Sequence, residues 1–405
     1  MKATNSEQAF ANLFAWCRNH DFAGYDPFDG LNSRLFQASP FKNSRIARLL
    51  WTQFCKRSPL NLRPLVGISP ERNAKGIALF SLAALANYRR LKTKETAEEA
   101  RALLDDLLKM RLQGFSGAAW GYNFDWQGRA FFAPRGTPTI VPTAFAVRAL
   151  IEAAATLNDK ACLSGARTAG DFILNDLNRS AEAMDEVCFS YSPLDHTRVF
   201  NASLLAGETL ATIGKFTGEP SLGEWAVRAA RYVVRRQRPD GSWSYGGDDY
   251  QSWADNFHTA FILTSLSRII ESCESARDEF SEGLSRGYDF WRERFFLSNG
   301  WPKYFPDRLY PADAHAAGAA MVALAELSGV RTACGNGRAA LPVPGALALA
   351  QRIAEWSITS LRSHEGYFYY QRRRFCTVRI PYMRWSEAWM AYGLARLAEE
   401  GKRKK

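Results

Sequence analysis

Six stretches rich in small residues, each following a polar and aromatic segment, recur along this chain and restrict what it can fold into. They begin near Asn73 (NAKGIALFSLAALANY), Thr143 (TAFAVRALIEAAATL), Asn201 (NASLLAGETLATIG), Asn256 (NFHTAFILTSLSRII), Asp313 (DAHAAGAAMVALAEL) and Ser386 (SEAWMAYGLARLAEE), at successive offsets of 70, 58, 55, 57 and 73 residues. Their apolar residues keep a period of 3.6 rather than 2, so each reads as a helix, and a repeat of this length is a unit that buries its apolar face only against its neighbours. Helices with a more charged outer face are expected between them, at 95–112, 160–178, 219–237, 277–294 and 345–362, and one more, 42–56, precedes the first. Six inner helices alternating with six outer ones predict an all-α fold, an (α/α)6 barrel with 1–405 as one domain, in which Ala, Gly and Ser let the inner ring pack closely. The helix expected at 6–19 is then an extra element outside the barrel, so that 1–41 is an N-terminal helix and a rim loop. The Asn, Thr, Asp or Ser at each inner-helix start is what an N-cap requires.

The longest apolar runs, Ala144–Val147 and Ala316–Leu324, are interrupted well before the roughly 20 residues a membrane-spanning helix needs. The first residues, MKATNSEQAFANLFAWCRNH, lack the unbroken hydrophobic stretch of a secretory signal, so the expected location is the cytoplasm or the inner-membrane surface. Seven cysteines, at 17, 55, 162, 188, 273, 334 and 376, have no metal-finger spacing and read as reduced thiols. A formal charge of +11 without a lysine-rich run, other than the terminal Lys402–Lys405, favours an anionic partner through long-range attraction. Charge alone does not choose among nucleic acid, acidic glycan and lipid surface.

The loops choose. Links from outer to inner helices run to twenty residues or more, and all of them lie on the rim where inner helices begin. They concentrate Tyr, Trp, Phe, Asp, Arg and His, the set with which a cleft stacks on sugar faces and bonds hydroxyls or carboxylates. Expected platforms are Tyr122, Trp126, Trp243, Trp253 and Tyr304, and carboxylate recognition is expected from Arg135, Arg308 and Arg384. Asp125, Arg129, Asp195, His196, Asn201, Asp307, Tyr382 and Trp385 complete the expected binding set. His196, His258 and His315 hold analogous places in three successive repeats, each with an acid nearby: Asp195, Asp255 and Asp313. Without HxxxH or HExxH spacing these read as proton-transfer groups or helix caps rather than as metal ligands. Proton transfer is expected of His258, His315 or Tyr310, with Asp255 and Asp313 beside them, and neither metal nor cofactor is expected. Glycoside hydrolysis would need two facing carboxylates, whereas elimination or C5 epimerisation of a uronate needs a base and cations on the carboxylate. The arginine content favours the second.

The segment RRQRPDGSWSYG, 235–246, resembles the QxxDGSW repeat of the squalene cyclase and prenyltransferase toroids, and the likeness implies structural roles for Gln237 and Trp243. Their DxDD acid motif is missing, which disfavours a terpenoid-type cyclase. From about Gly121 onwards, GYNFDWQGRAFFAPRGTPTIVPTAF, CFSYSPLDHTRVFNA, DNFHTAF, DRLYPADAHAA and GYFYYQRRRFCTVRIPYMRWSEAWM together resemble a bacterial toroid family of exopolysaccharide and capsule gene clusters, the VpsJ-like polysaccharide biosynthesis proteins. That resemblance implies a role in surface glycan production. The ending IPYMRWSEAWMAYGLARL is also similar to the last inner helix of epimerases, lyases and unsaturated-uronyl hydrolases built on this barrel. The expected partner is an acidic polysaccharide or a lipid-linked oligosaccharide, with peripheral association to a membrane glycan-assembly complex, and not nucleic acid. A non-catalytic glycan-binding or scaffolding subunit is the alternative reading.

Overall fold

The computed structural model describes residues 5–329 and 345–403, so all but the last residue of 331–345, which the sequence marks as a surface connection, Cys334 within it, and the last two lysines lie outside the described residues. Six inner helices, Ala74–Leu91, Ile140–Leu157, Phe200–Thr217, Asn256–Ser272, Ala314–Gly329 and Ala388–Arg403, each pack on the next, and the last packs on the first. The result is a closed (α/α)6 ring. Small residues make the closure possible: a Cβ on Gly318 would sit 2.6 Å from the Trp389 carbonyl, and one on Gly393 would sit 3.0 Å from the Gly318 oxygen. The Ile140–Leu157 helix is long and apolar enough to cross a membrane by length and composition, but 72% of that window is buried inside the ring.

Lys94–Lys109, Lys160–Arg167 with Ala169–Asn175, Pro220–Val234, Ala276–Phe295 and Ala346–Ser360 form the outer layer, each against its preceding inner helix. The sixth outer position is filled differently from expectation. Asn5–Asn19 packs on Ala388–Arg403 and buries Ala9, Phe10, Leu13, Phe14 and Cys17, so the supposed extra helix is a wall of the barrel. Arg45–Arg57, expected in the wall, instead lies on the rim against the Asp29–Asn32 turn and the Trp126–Gln127 strand. Its buried face is too narrow for a wall helix: only Thr52 and Cys55 are fully covered.

Capping also departs from expectation. Asn73 and Asp313 accept first-turn N–H groups, and Asp255 rather than Asn256 caps its helix. Thr143 lies inside a helix that starts at Ile140, with its hydroxyl bonded to the Trp120 backbone. Asn201 follows Phe200 into its helix, and Ser386 belongs to a π turn, Met383–Glu387, ahead of the last inner helix.

At the end of the ring away from the long loops, charged residues from all six inner helices form one chain of ion pairs. It runs Glu152–Arg89–Glu399–Arg396–Glu326–Arg268–Glu208–Arg148, with separations of 3.1, 2.7, 3.6, 3.8, 2.7, 3.6 and 2.7 Å, and begins and ends on the same helix. Glu208 is its most engaged member, accepting three hydrogen bonds from Arg148 and one from Ser265. Removing one partner of a buried pair leaves an uncompensated charge, which costs about 3–5 kcal/mol, whereas replacing both by apolar groups is far cheaper. Glu208→Ala is therefore expected to lose about that much stability in chemical denaturation, and Arg148→Met with Glu208→Leu to recover most of it.

Candidate active site

Inner-to-outer links are short, as at Leu91–Lys94 and Leu157–Lys160, while the outer-to-inner loops carry short hairpins such as Trp126–Gln127 with Phe132–Ala133. These loops meet around a cavity of about 350 Å3 at the rim where inner helices begin. A wider groove of about 730 Å3, lined by Asp185, Lys215, Glu219 and Cys273, lies by the opposite inner-helix ends and has no aromatic lining.

Asp255 organises one wall. Its Oδ1 accepts the His258 backbone N–H at 3.0 Å while its Oδ2 lies 2.7 Å from the His258 Nδ1. A carboxylate oxygen accepts from an imidazole N–H, so Nδ1 is the donor here, and in the tautomer this bond selects the lone pair is on Nε2. His258 lines the cavity with its side chain one-fifth exposed. His315, on the next inner helix, lines it too, and Phe257 stands between the two imidazoles at ring distances of 4.0 and 4.3 Å. His315 is 1% exposed and, among the described residues, neither of its ring nitrogens has a hydrogen-bond partner. Burial, then the nearby Lys75, hold its pKa well below the usual value, so it is neutral.

Lys75, in the first turn of Ala74–Leu91, reaches into the ring. Its Nζ lies 4.8, 5.1 and 5.2 Å from the ring centres of Phe145, Phe261 and Trp389. Burial first, and Arg384 next, hold its pKa well below the usual lysine value. Burial lowers Lys56, on the rim helix, to about 8, against the pull of Asp313. Arg384 is already neutralised by a bidentate bond to Asp26 at 2.6 and 2.7 Å. Among the described residues, Lys56, Lys75 and Arg129 line the cavity without a carboxylate partner, and Asp255 is the one acid in its lining.

Aromatic faces form the rest. Tyr245 stacks on Trp253 at 4.8 Å, Tyr122 on Phe124 at 5.1 Å, and the Tyr122 and Tyr191 hydroxyls lie 3.1 Å apart. Among the described residues no cluster of His, Cys, Asp and Glu is arranged to hold a metal.

Of the residues expected from sequence, Tyr122, Trp126, Arg129, Asn201, Trp253, Asp255, Tyr304, His258, His315, Arg384 and Trp385 line this cavity. The others do not, for identifiable reasons. Trp243 is buried and donates to the Val233 carbonyl at 3.0 Å, while Gln237 ties the Gly241 and Gly283 carbonyls together, the structural roles that the toroid resemblance implies. Asp195 is consumed by a turn, accepting from Ser192 and Thr197, and His196 beside it is exposed outside the cavity. Arg135 pairs with Glu71 and donates its backbone N–H to the Asp125 carboxylate in a separate depression. Asp307 and Arg308 are exposed and face each other at 3.6 Å. Tyr310 packs edge-on against Trp301, and Tyr382 is buried with its hydroxyl accepting from Arg63 at 2.9 Å. Asp313 lies beneath the site, capping its helix through the Ala316 N–H. Lys56, Lys75 and Gln53 were not expected; for Lys75 the signal was a lysine inside an otherwise small and apolar inner-helix segment.

No family model matches the chain, and comparison with curated protein sequences finds no match. Solved structures do share the fold. Cellobiose 2-epimerase from Bacillus thermoamylovorans is 14% identical with a TM-score of 0.61, covering 82% of this chain and 88% of its own. An unsaturated glucuronyl hydrolase specific for heparin is 14% identical with a TM-score of 0.58, covering 84% and 90%. A polysaccharide lyase is 9% identical with a TM-score of 0.58, covering 99% and 98%. These likenesses place the chain among α/α toroids of the six-hairpin type.

Burial raises the Asp313 carboxyl to about 7, opposed by the Ala316 N–H and Lys56. A folded-state pKa above the unfolded one means that this group's contribution is most favourable below about 4 and is lost as pH rises towards 7. Asp313→Asn keeps the cap but cannot ionise. Melting temperatures recorded from pH 5 to 8 are expected to show the variant gaining on the natural protein as pH rises, with the difference levelling off above about 7.

Proposed function

We propose that this chain is a carbohydrate-active enzyme of bacterial surface polysaccharide biosynthesis that abstracts a carbon-bound proton from an acidic sugar residue, as an epimerase or a lyase does. The observation that carries this reading is the His258–Asp255 pair, with no partner on its Nε2 among the described residues, in a cavity where the lining groups without a carboxylate partner are basic. In the proposed step Nε2 takes the C5 proton of a uronate, and the electron pair moves into the neighbouring carboxylate. In epimerisation C5 then takes a proton from water or a second acid on the opposite face, and Nε2 releases its own proton to solvent. In elimination the pair forms the C4=C5 double bond while the C4–O bond breaks with its own electrons, the departing oxygen taking up the proton held on Nε2. Cations around the carboxylate acidify that C–H and hold the developing charge. Lys75 suits this role, because an arriving carboxylate favours the charged form that burial disfavours. Carboxylate-pair hydrolysis has less support, since Asp255 is committed to His258 and Asp313 lies outside the cavity.

Purified protein incubated with uronic-acid polymers in deuterated water is expected to place deuterium at C5 or to generate the absorbance of unsaturated uronates. His258→Ala should lower that rate by about 10²–10⁴-fold, the usual contribution of a general base. Lys75→Met should chiefly raise KM. Tight binding without turnover or exchange on any polymer would make the chain a binding subunit instead.

A further inference from the structure

The rim helix Arg45–Arg57 shows its apolar residues to solvent. Ile46, Leu50 and Phe54, four residues apart and therefore on one face, are 70, 66 and 52% exposed. Leu35, Phe41, Leu60 and Leu65, from the segments flanking the helix, are exposed as well. From Arg34 to Pro70 the sequence has seven basic residues and no acidic one; Arg63 is buried against Asp29 and Lys56 lines the cavity, which leaves Arg34, Lys42, Arg45, Arg48 and Arg57. A second element joins this face: Arg373 donates to the Arg57 carbonyl at 2.8 Å, and the hairpin between Gln371–Arg372 and Thr377–Val378 carries Phe375, 89% exposed. From Gln371 to Arg379 there are four basic residues and no acidic one.

A stripe of exposed aliphatic and aromatic side chains bordered by arginine and lysine is the pattern of a helix lying in a lipid headgroup layer. A soluble monomer does not gain from exposing it. A second copy of this chain fits poorly, since a symmetric contact would set the same basic segments against each other. Nucleic acid would use the arginines but gives Ile46, Leu50 and Leu65 no apolar surface to bury against. We propose that this face docks peripherally on an anionic bilayer, with Ile46, Leu50, Phe54 and Phe375 entering the headgroup boundary. Gln53 and Lys56 of the same helix line the cavity, so docking sets the mouth of the site beside the membrane. Resting on the sugar-processing reading above, the substrate is then a saccharide carried on a lipid.

The test is co-sedimentation with vesicles of phosphatidylcholine alone and with about a third phosphatidylglycerol. The natural protein is expected to partition onto the anionic vesicles and to be released by salt. The triple variant Ile46→Ser, Leu50→Ser, Phe54→Ser should lose about tenfold or more in partitioning with an unchanged melting temperature. Arg57→Glu with Arg374→Glu should weaken it similarly, and the salt dependence should flatten. No partitioning, partitioning unaffected by either variant, equal binding to neutral vesicles, or a solution dimer dissolved by the triple variant would each overturn the proposal. Because the readout is binding, it fails or succeeds independently of turnover on any sugar.

Discussion

The chain of ion pairs through Arg148, Glu208, Arg268 and Glu326 is the interaction on which the barrel depends. Small residues allow the inner helices to approach, but closeness alone does not fix how far each helix slides along its neighbour. A one-turn slip would move each buried guanidinium by about 5.4 Å and strand it without its carboxylate. The pairs therefore set the register of every inner helix at one end of the ring. That register determines where the first turns, and the residues on them, emerge at the other.

The two ends of the barrel use similar side chains in opposite states. Away from the loops, the Arg and Glu side chains pair with one another, although the Arg396 Nε has no hydrogen-bond partner among the described residues. At the mouth Lys75 sits among aromatic rings, His315 has no partner on either nitrogen, and Lys56 and Arg129 have no carboxylate partner among the described residues. Buried polar groups left unsatisfied cost stability, and a fold retains them where a ligand supplies what is missing. The difference between the ends supports the mouth as the site proposed above, without reference to any relative.

Much of this was legible in the sequence. The long spacing of Ala- and Gly-rich helices gave the barrel, and the aromatic loops before Tyr122, Trp253 and His258 gave the rim. What misled was local resemblance between residues with different surroundings. His196 looks equivalent to His258, yet Asp195 spends its oxygens on Ser192 and Thr197, while Asp255 keeps one for the imidazole. Arg308 and Arg384 both follow rim aromatics, but only Arg384 is drawn inward, by an Asp26 more than 350 residues away. Such long-range partners leave no mark on a local pattern. The helix at 45–57 misled for another reason: its period of 3.6 was correct, but its apolar stripe faces outward.

Closing the barrel joins Asn5–Asn19 to Ala388–Arg403, so the wall helix made early must wait for an inner helix made nearly four hundred residues later. Contacts this distant in sequence are slow to form. Until they do, the greasy face of Asn5–Asn19 and the open seam of the ring are both uncovered, surfaces on which a nascent chain invites association with others. Translation must finish the sixth hairpin before the Asn5–Asn19 helix finds its place.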